Sequence, residues 1–499
     1  MSTPVSIRPR GNPLSLGRLA QDIAREARAA QSEGIVADPL MPVGDSDAAE
    51  RGVGRALVGP VGSLGTVLLS GPTAGGGPAD LELHLARWGA LAVDTATILD
   101  VLDSSEIDGR GGGGFPLRRK VDAARAAGHP LVIVNASESE PASRKDATLC
   151  TLRPHLVLDG AALVAKALGT SDVVVHMHRG SGMAGPLRAA IEQRKAAGFA
   201  AADSLSPDQS HTVVDPAWRL SEGPDRYVSG ESSAVASSVE GGEARPYFTT
   251  SPLAVHGPSG RPTVVSNVET LAHLAVAVRL GGDVWRAFGS DDAPGTRLVT
   301  LTGAVAEPGL VVEASGPVTL GDLLQAGGLD HPPAAVLVGG FGGTWVDGAD
   351  AWSTPFSRPG LSDVGAGPGC GMVGVLPPGA CGLAETARIV AYLAGESAGQ
   401  CGSCVSGLPR LAAALGDLAR GRMRRRGVRK TASIAYEIFG SGACGHPDAV
   451  VRLVRSALDV FAGDVEAHLD GGPCAGAELA PVFMVPGPRR IDSSGGGWK

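Results

Sequence analysis

Gly109-Arg110-Gly111-Gly112-Gly113-Gly114-Phe115-Pro116-Leu117-Arg118-Arg119-Lys120 sets five glycines in six positions ahead of three basic side chains. Backbone without Cβ atoms can approach a phosphate or a flat ring closely, and the terminal cations suit an anion. Just before it, Thr95 to Leu102 (TATILDVL) has helical spacing, and Val121 to Ala127 begins a second helix. The loop would therefore open a helix whose free amide groups point at a ligand. By itself the run also fits a Gly-rich linker, and the chain on either side has to decide.

Outward from the loop, about 81–290 alternates helical patterns with short β-branched runs, Leu131-Val132-Ile133-Val134 and Val173-Val174-Val175, the latter ending at His176. Strand, Gly-rich turn and helix repeating in this way predict an α/β sandwich on a largely parallel sheet, with a ligand at the carboxyl ends of the strands. From 291 to 375 the texture changes to a small β-grasp-like domain: strands at Arg297–Gly303, Leu310–Val312 and Ala335–Val338, and a short helix at Leu320–Leu324. The span 376–470 is helical, with Ala384–Ala394, Leu408–Leu418, Ser433–Phe439 and Ala449–Phe461 forming a four-helix bundle. Residues 1–80 read as a loosely ordered extension and 471–499 as a flexible Gly/Pro-rich tail.

Composition limits the function. The net charge of −8 argues against general nucleic-acid binding. No run of 18 apolar residues and no signal-peptide core is present, which predicts a cytoplasmic chain without direct membrane insertion. Seven cysteines in 499 residues fit ligands or buried thiols better than a disulfide framework.

Three further motifs follow the glycine loop. Asn135-Ala136-Ser137-Glu138-Ser139-Glu140-Pro141 puts an amide and two carboxylates at a strand's end, where they can bond hydroxyls and a ring edge or form a solvated acidic turn. Tyr227-Val228-Ser229-Gly230-Glu231 and Ser266-Asn267-Val268-Glu269-Thr270 set small polar groups at helix starts, where capping is the simpler explanation. In this order the four motifs resemble the flavin-bearing, NADH-binding subunit of respiratory complex I, of NAD-linked hydrogenases and of formate dehydrogenases, over about residues 81–470. Gly109, Arg110, Gly111, Phe115 and Lys120 match that family's loop GRGGAGFPxGxKW. Asn135, Glu138 and Glu140 match its NADExEPG, and Tyr227, Gly230, Glu231 and Ala234 its YxCGEETAL. Asn267 to Thr270 match its NNVET, with Ser266 at the first Asn. The resemblance implies a Rossmann-like flavin domain at 81–290, a β-grasp (ubiquitin-like) domain at 291–375 and a four-helix iron–sulfur domain at 376–470. FMN would be held by these matched residues, with Lys120 and the glycines on its phosphate.

The family's cluster motif ESCGxCxPCRxG falls on Glu396 to Gly407, which implies Cys401, Cys404 and, 40 residues beyond Cys404, Cys444 as ligands. Ala398 stands where the first ligand belongs. The implied cluster is 4Fe-4S with a non-cysteine fourth ligand (His446, Asp448 or water) or 3Fe-4S; three buried thiols with no cluster are the alternative. Cys150, Cys370 and Cys381 read as packed thiols without partners at ligand spacing, Gly369-Cys370-Gly371 being a turn that approaches the flavin. Cys474 lies in the tail.

Departures bear on the dinucleotide. The second Glu of GEE is Ser232, the second stacking aromatic falls on Ala123, and the Lys and Phe of the family's KPPFPA stretch fall near Thr249 and Pro252. The expectation is an FMN- and iron–sulfur-containing electron-transfer subunit with a degraded NAD(H) site. The alternatives are a functional NADH dehydrogenase and a non-catalytic assembly subunit. Expected partners are other electron-transfer subunits, which would bring any membrane association, or a ferredoxin-like protein. The basic run Arg422 to Lys430 is either a solvated loop or a docking surface for an acidic partner.

Overall fold

The protein's structure, a computed structural model, describes residues 56–62, 65–70, 80–198, 213–487 and 496–498. Ten strands are described: β1 Ala56–Gly62, β2 Leu131–Ala136, β3 Asp172–His178, β4 Ala217–Gly223, β5 Thr263–Asn267, β6 Arg297–Gly303, β7 Leu310–Ser315, β8 Ala335–Val338, β9 Thr344–Asp347 and β10 Met372–Leu376. They make two sheets. The first has the order β4-β3-β2-β5 and is parallel throughout, with Val132 opposite both Val173 and Val264. The second is mixed, with the order β1-β7-β6-β10-β8-β9.

A parallel sheet needs crossovers, and helices cover both faces of this one. Helices Pro154–Leu168 and Val268–Leu280 pack together on one face, where a Cβ on Gly160 would stand 1.9 Å from the Leu271 carbonyl oxygen. Val235 of helix Ser232–Val239 meets Ile133, Val174 and Val265 on the other. That two-sided burial explains why β2 and β3 read as continuous apolar runs. The chain passes from β2 to β3 on one side and reaches β5 on the other. Such a reversal opens a crevice between the carboxyl ends of β2 and β5, and those ends carry Asn135, Ser266 and Asn267.

The C-terminal region is helical, as the periodicity predicts, but a fifth helix, Ala462–Gly471, joins Gly382–Gly395, Leu408–Ala419, Arg425–Ile438 and His446–Val460. The basic run is not wholly a loop. Arg425 opens a helix and pairs with Glu466 and Asp470.

Both ends of the chain differ from expectation. β1 pairs in parallel with β7, and Val67, Leu68 and Leu69 are buried, with the amides of Leu68 and Leu69 donating to Glu313. This correction covers 56–62 and 65–70; residues 1–55, 63–64 and 71–79 of the expected extension lie outside the described residues. In the expected flexible tail, Phe483 is buried against Trp345, the Val482 amide donates to Glu385 at 2.8 Å, and Trp498 is buried between Arg226 and Arg245. Short apolar returns of this kind have no periodicity to read.

Candidate functional site: two adjoining cavities and a cysteine loop

The crevice between β2 and β5 is a cavity of ≈ 370 Å³. Its walls include Gly109, Gly111, Gly113, Gly114, Phe115 and Lys120 from the glycine loop, Asn135 from β2, Gly230 and Glu231, and Ser266 and Asn267 from β5. Each is fixed by backbone chemistry. The Asn135 amide donates to the Gly230 carbonyl at 2.9 Å, and a Cβ on Gly230 would fall 2.0 Å from the Ser139 hydroxyl. Asn267 caps helix Val268–Leu280, accepting from the Glu269 amide, and donates to Asp146. Glu231 caps helix Ser232–Val239 through the amides of Ser233 and Ala234.

Lys120 is the feature that asks for a ligand. Its ammonium donates to the Val265 carbonyl at 2.9 Å, burial pushes its pKa down, and no carboxylate among the described residues lies in ion-pair range. A half-buried cation facing a glycine cradle fits a phosphate. A Cβ on Gly113 would meet no protein atom within 4 Å, so the space beside it is open.

Four of the expected residues do not line this cavity. Arg110 is buried, paired with Asp108 and donating to the Pro294 carbonyl. Glu138 caps helix Lys145–Leu152, accepting from the amides of Asp146 and Ala147 and from the Ser143 hydroxyl. Glu140 accepts from the Phe341 amide at 2.8 Å and from the Tyr227 hydroxyl at 3.3 Å. Burial, only partly offset by those bonds, raises its pKa to about 7. Glu138 and Glu140 line a separate cavity of ≈ 450 Å³ with His178 and Met484. Tyr227 packs on Tyr392 and His446 of the helical region. The turn at Cys370 borders the glycine loop: a Cβ on Gly112 would lie 3.9 Å from the Cys370 nitrogen.

Outside the crevice lies a second cavity of ≈ 490 Å³ that shares Phe115, Lys120, Glu231, Ser232 and Val265 with the first. Ala123, Thr249 and Pro252 line it, as small or apolar replacements would, but so do Tyr247 and Phe248, the latter 73% exposed. Tyr247 and Phe248 add two aromatic faces beside Phe115. The signal for them lies a few positions earlier in the chain: a KPPFPA stretch beginning at Arg245 puts Phe248 on its aromatic. Arg245 itself turns away, donating to the Ala398 carbonyl.

Cys444 closes the far wall of the outer cavity. The Cys401 and Cys404 thiols lie close enough to perturb each other, and Cys444 lies within electrostatic reach of Cys401. Two thiols at the start of a helical segment and a third on the turn before helix His446–Val460 suit an iron–sulfur cluster. Ala398 packs with Val228 and Trp498. Of the two side chains expected as fourth ligands, His446 donates from Nε2 to the Leu393 carbonyl and keeps a buried Nδ1 without a partner, and Asp448 accepts from the Gly440 amide through one oxygen. Ser397, which no sequence signal singles out, accepts from the Gly399 amide and lies beside the Cys404 thiol.

Comparison with known proteins agrees with this geometry. Residues 102–276 match the Nuo51 FMN-binding domain, and 384–468 the NADH-ubiquinone oxidoreductase-F iron–sulfur binding region. The chain is 30% identical to the NADH-quinone oxidoreductase F protein of Streptomyces coelicolor, over 77% of this chain and 86% of that one. It is also 30% identical to the NADH-quinone oxidoreductase F 2 protein of Rhizobium meliloti, over 82% and 96%. An NAD+-reducing [NiFe]-hydrogenase in its H2-reduced state superposes with a TM-score of 0.67 at 28% identity, covering 76% of this chain but only 64% of the hydrogenase chain. No helix among the described residues is long and apolar enough to cross a membrane. With FMN-binding and iron–sulfur regions both present in order, this chain belongs to the F-protein family of NADH-quinone oxidoreductase.

Proposed function

We propose that this chain is an electron-transfer subunit carrying FMN in the inner cavity and an iron–sulfur cluster on Cys401, Cys404 and Cys444, and that its donor is a nicotinamide dinucleotide in the outer cavity. One observation carries the reading: the two cavities share a wall, and Cys444 lines the outer one. FMN supplies the conversion between a two-electron donor and one-electron acceptors. The chain's own residues position it. Lys120 and the glycines would hold the phosphate, and Asn135, Gly230, Glu231, Ser266 and Asn267 would face the ribityl chain and ring. Phe115, Tyr247 and Phe248 offer stacking faces for the donor's rings and keep water off them. The fourth iron corner would go to His446 Nδ1, Ser397 or solvent.

The same geometry supports a division into an FMN domain at 81–290, a β-grasp domain at 291–375 with β1 added at its edge, and a helical cluster domain from 376. Partner subunits would dock beside the cluster, where Val405, Tyr436 and Phe439 are exposed on neighbouring elements. The Arg425 ion pairs make the basic run a weaker candidate.

A degraded dinucleotide site remains the second reading, because Ser232 and Ala123 line the outer cavity where the family has a carboxylate and an aromatic. Stopped-flow mixing of FMN-loaded chain with NADH separates the two. Rapid, saturable flavin bleaching, slowed on the order of tenfold at low NADH in Phe248→Ala, supports the donor cavity. No bleaching by NADH, with bleaching by a reduced ferredoxin, supports degradation.

A further inference from the structure

Away from both cavities, Cys381, His468 and Cys474 bring one sulfur, one ring nitrogen and a second sulfur within 4.8 Å of one another. Cys381 is buried as a packed thiol would be, but it has two possible partners close by, one of them Cys474 from the expected tail. Nothing in the flavin or cluster sites uses these residues. We propose that they bind a single zinc ion that fastens the C-terminal segment to the helical region, independently of the redox function.

The histidine is prepared for a metal. His468 is buried, and its Nδ1 lies 3.1 Å from the Leu418 carbonyl, which places the ring proton there and turns the Nε2 lone pair toward the two cysteines, where a metal would take it from the Cys474 amide. Nε2 is 3.7 Å from Cys381 Sγ and accepts from the Cys474 amide at 3.1 Å. Two thiolates and a neutral imidazole cancel the charge of a divalent ion, so the buried complex is neutral. Sulfur and imidazole together select zinc over the hard cations. Three protein ligands leave one position, which water fills.

The location gives the ion its role. Cys381 caps the start of helix Gly382–Gly395, and His468 stands in the last turn of helix Ala462–Gly471. Cys474 begins the stretch that returns to lay Val482 on Glu385 and Phe483 against Trp345. A metal at this junction would tie together three segments that also share the hydrophobic core of the helical region.

The test uses the full chain, produced with zinc and iron both supplied and its cluster assembled anaerobically. We expect about one zinc per chain. Cys474→Ser should lower zinc roughly tenfold, leave iron and sulfide unchanged and speed hydrogen exchange over 474–485, whereas Cys404→Ala should lower iron and spare zinc. Should the Cys474→Ser chain fail to fold, cobalt-substituted wild type is read instead, where a thiolate-to-cobalt charge-transfer band is expected. The proposal is overturned by iron-loaded wild type that retains no zinc, by zinc that survives both Cys381→Ser and Cys474→Ser, or by peptide mapping that finds Cys381 and Cys474 joined in a disulfide.

Discussion

Lys120 is a cation held where burial disfavours its charge, bonded among the described residues to a single carbonyl. Such a group weakens the empty protein and strengthens the loaded one. Lys120→Met should therefore raise the thermal midpoint of flavin-free chain while weakening FMN binding by about 2 kcal/mol, roughly thirtyfold, as expected for a charge-assisted bond to phosphate. Calorimetric titration with FMN measures the second effect; unchanged affinity places the phosphate elsewhere. Gly113→Val is the companion probe. No protein atom lies within 4 Å of the added Cβ, so the chain should fold normally and still lose FMN.

Glu140 tests the site's electrostatics from the other side. Its folded pKa, about 7, stands above the ordinary value of 4.5. Between those values the folded chain keeps a proton that the unfolded chain has released, so stability falls as pH rises from about 4.5 to about 7. Glu140→Gln removes that term. Denaturation of both chains at pH 5 and pH 8 should show the wild type losing on the order of 2–3 kcal/mol more than the variant. A difference that does not change with pH contradicts this assignment.

At the scale of elements, the buried carboxylate of Asp159 ties helix Pro154–Leu168 to its neighbours through His84, Arg194 and Arg279. Arg279 and Arg194 hold its pKa well below the carboxylate range against the burial that would raise it. Asp159→Ala takes the carboxylate from the buried Arg279 guanidinium, while Arg194 keeps Asp215, and should cost about 3 kcal/mol, seen as a lower urea midpoint for the flavin domain. A loss under about 1 kcal/mol would mean that the arginines find other partners. No sequence pattern announces this network, since its members are scattered from His84 to Arg279.

What the sequence makes legible is periodic or contiguous. The apolar runs of β2 and β3, the strand–turn–strand rhythm of β6 and β7, and the helices after Gly382 follow from burial patterns a short window contains. The glycine loop is legible for the same reason: its geometry is local. β1 escapes such a window because its partner, β7, lies some 250 residues away. Glu138 and Tyr227 resemble ligand contacts because acid and phenol at a strand or helix end have both capping and binding uses. Only the tertiary structure shows that Glu138 is spent on amides and Tyr227 on Glu140. Tyr247 and Phe248 are hidden because the residues around them match the family's stretch loosely, and Cys381, His468 and Cys474 because they come from three separate elements.

At the scale of the whole molecule, electron transfer depends on adjacency. A parallel sheet supplies the inner cavity at its reversal point, the helix cap at Glu231 forms the wall common to both cavities, and the helical region brings Cys444 to the outer one. Electrons entering beside Phe115 and Phe248 would thus have the flavin site and the cysteine loop on contiguous walls. The most direct test is freeze-quench electron paramagnetic resonance on FMN-loaded, cluster-assembled chain mixed anaerobically with NADH. A reduced-cluster signal is expected in wild type, none in flavin-depleted Lys120→Met, and recovery of the signal in that variant with dithionite. A cluster that NADH reduces equally well without flavin, or one that stays oxidised in wild type while the flavin bleaches, would contradict this arrangement.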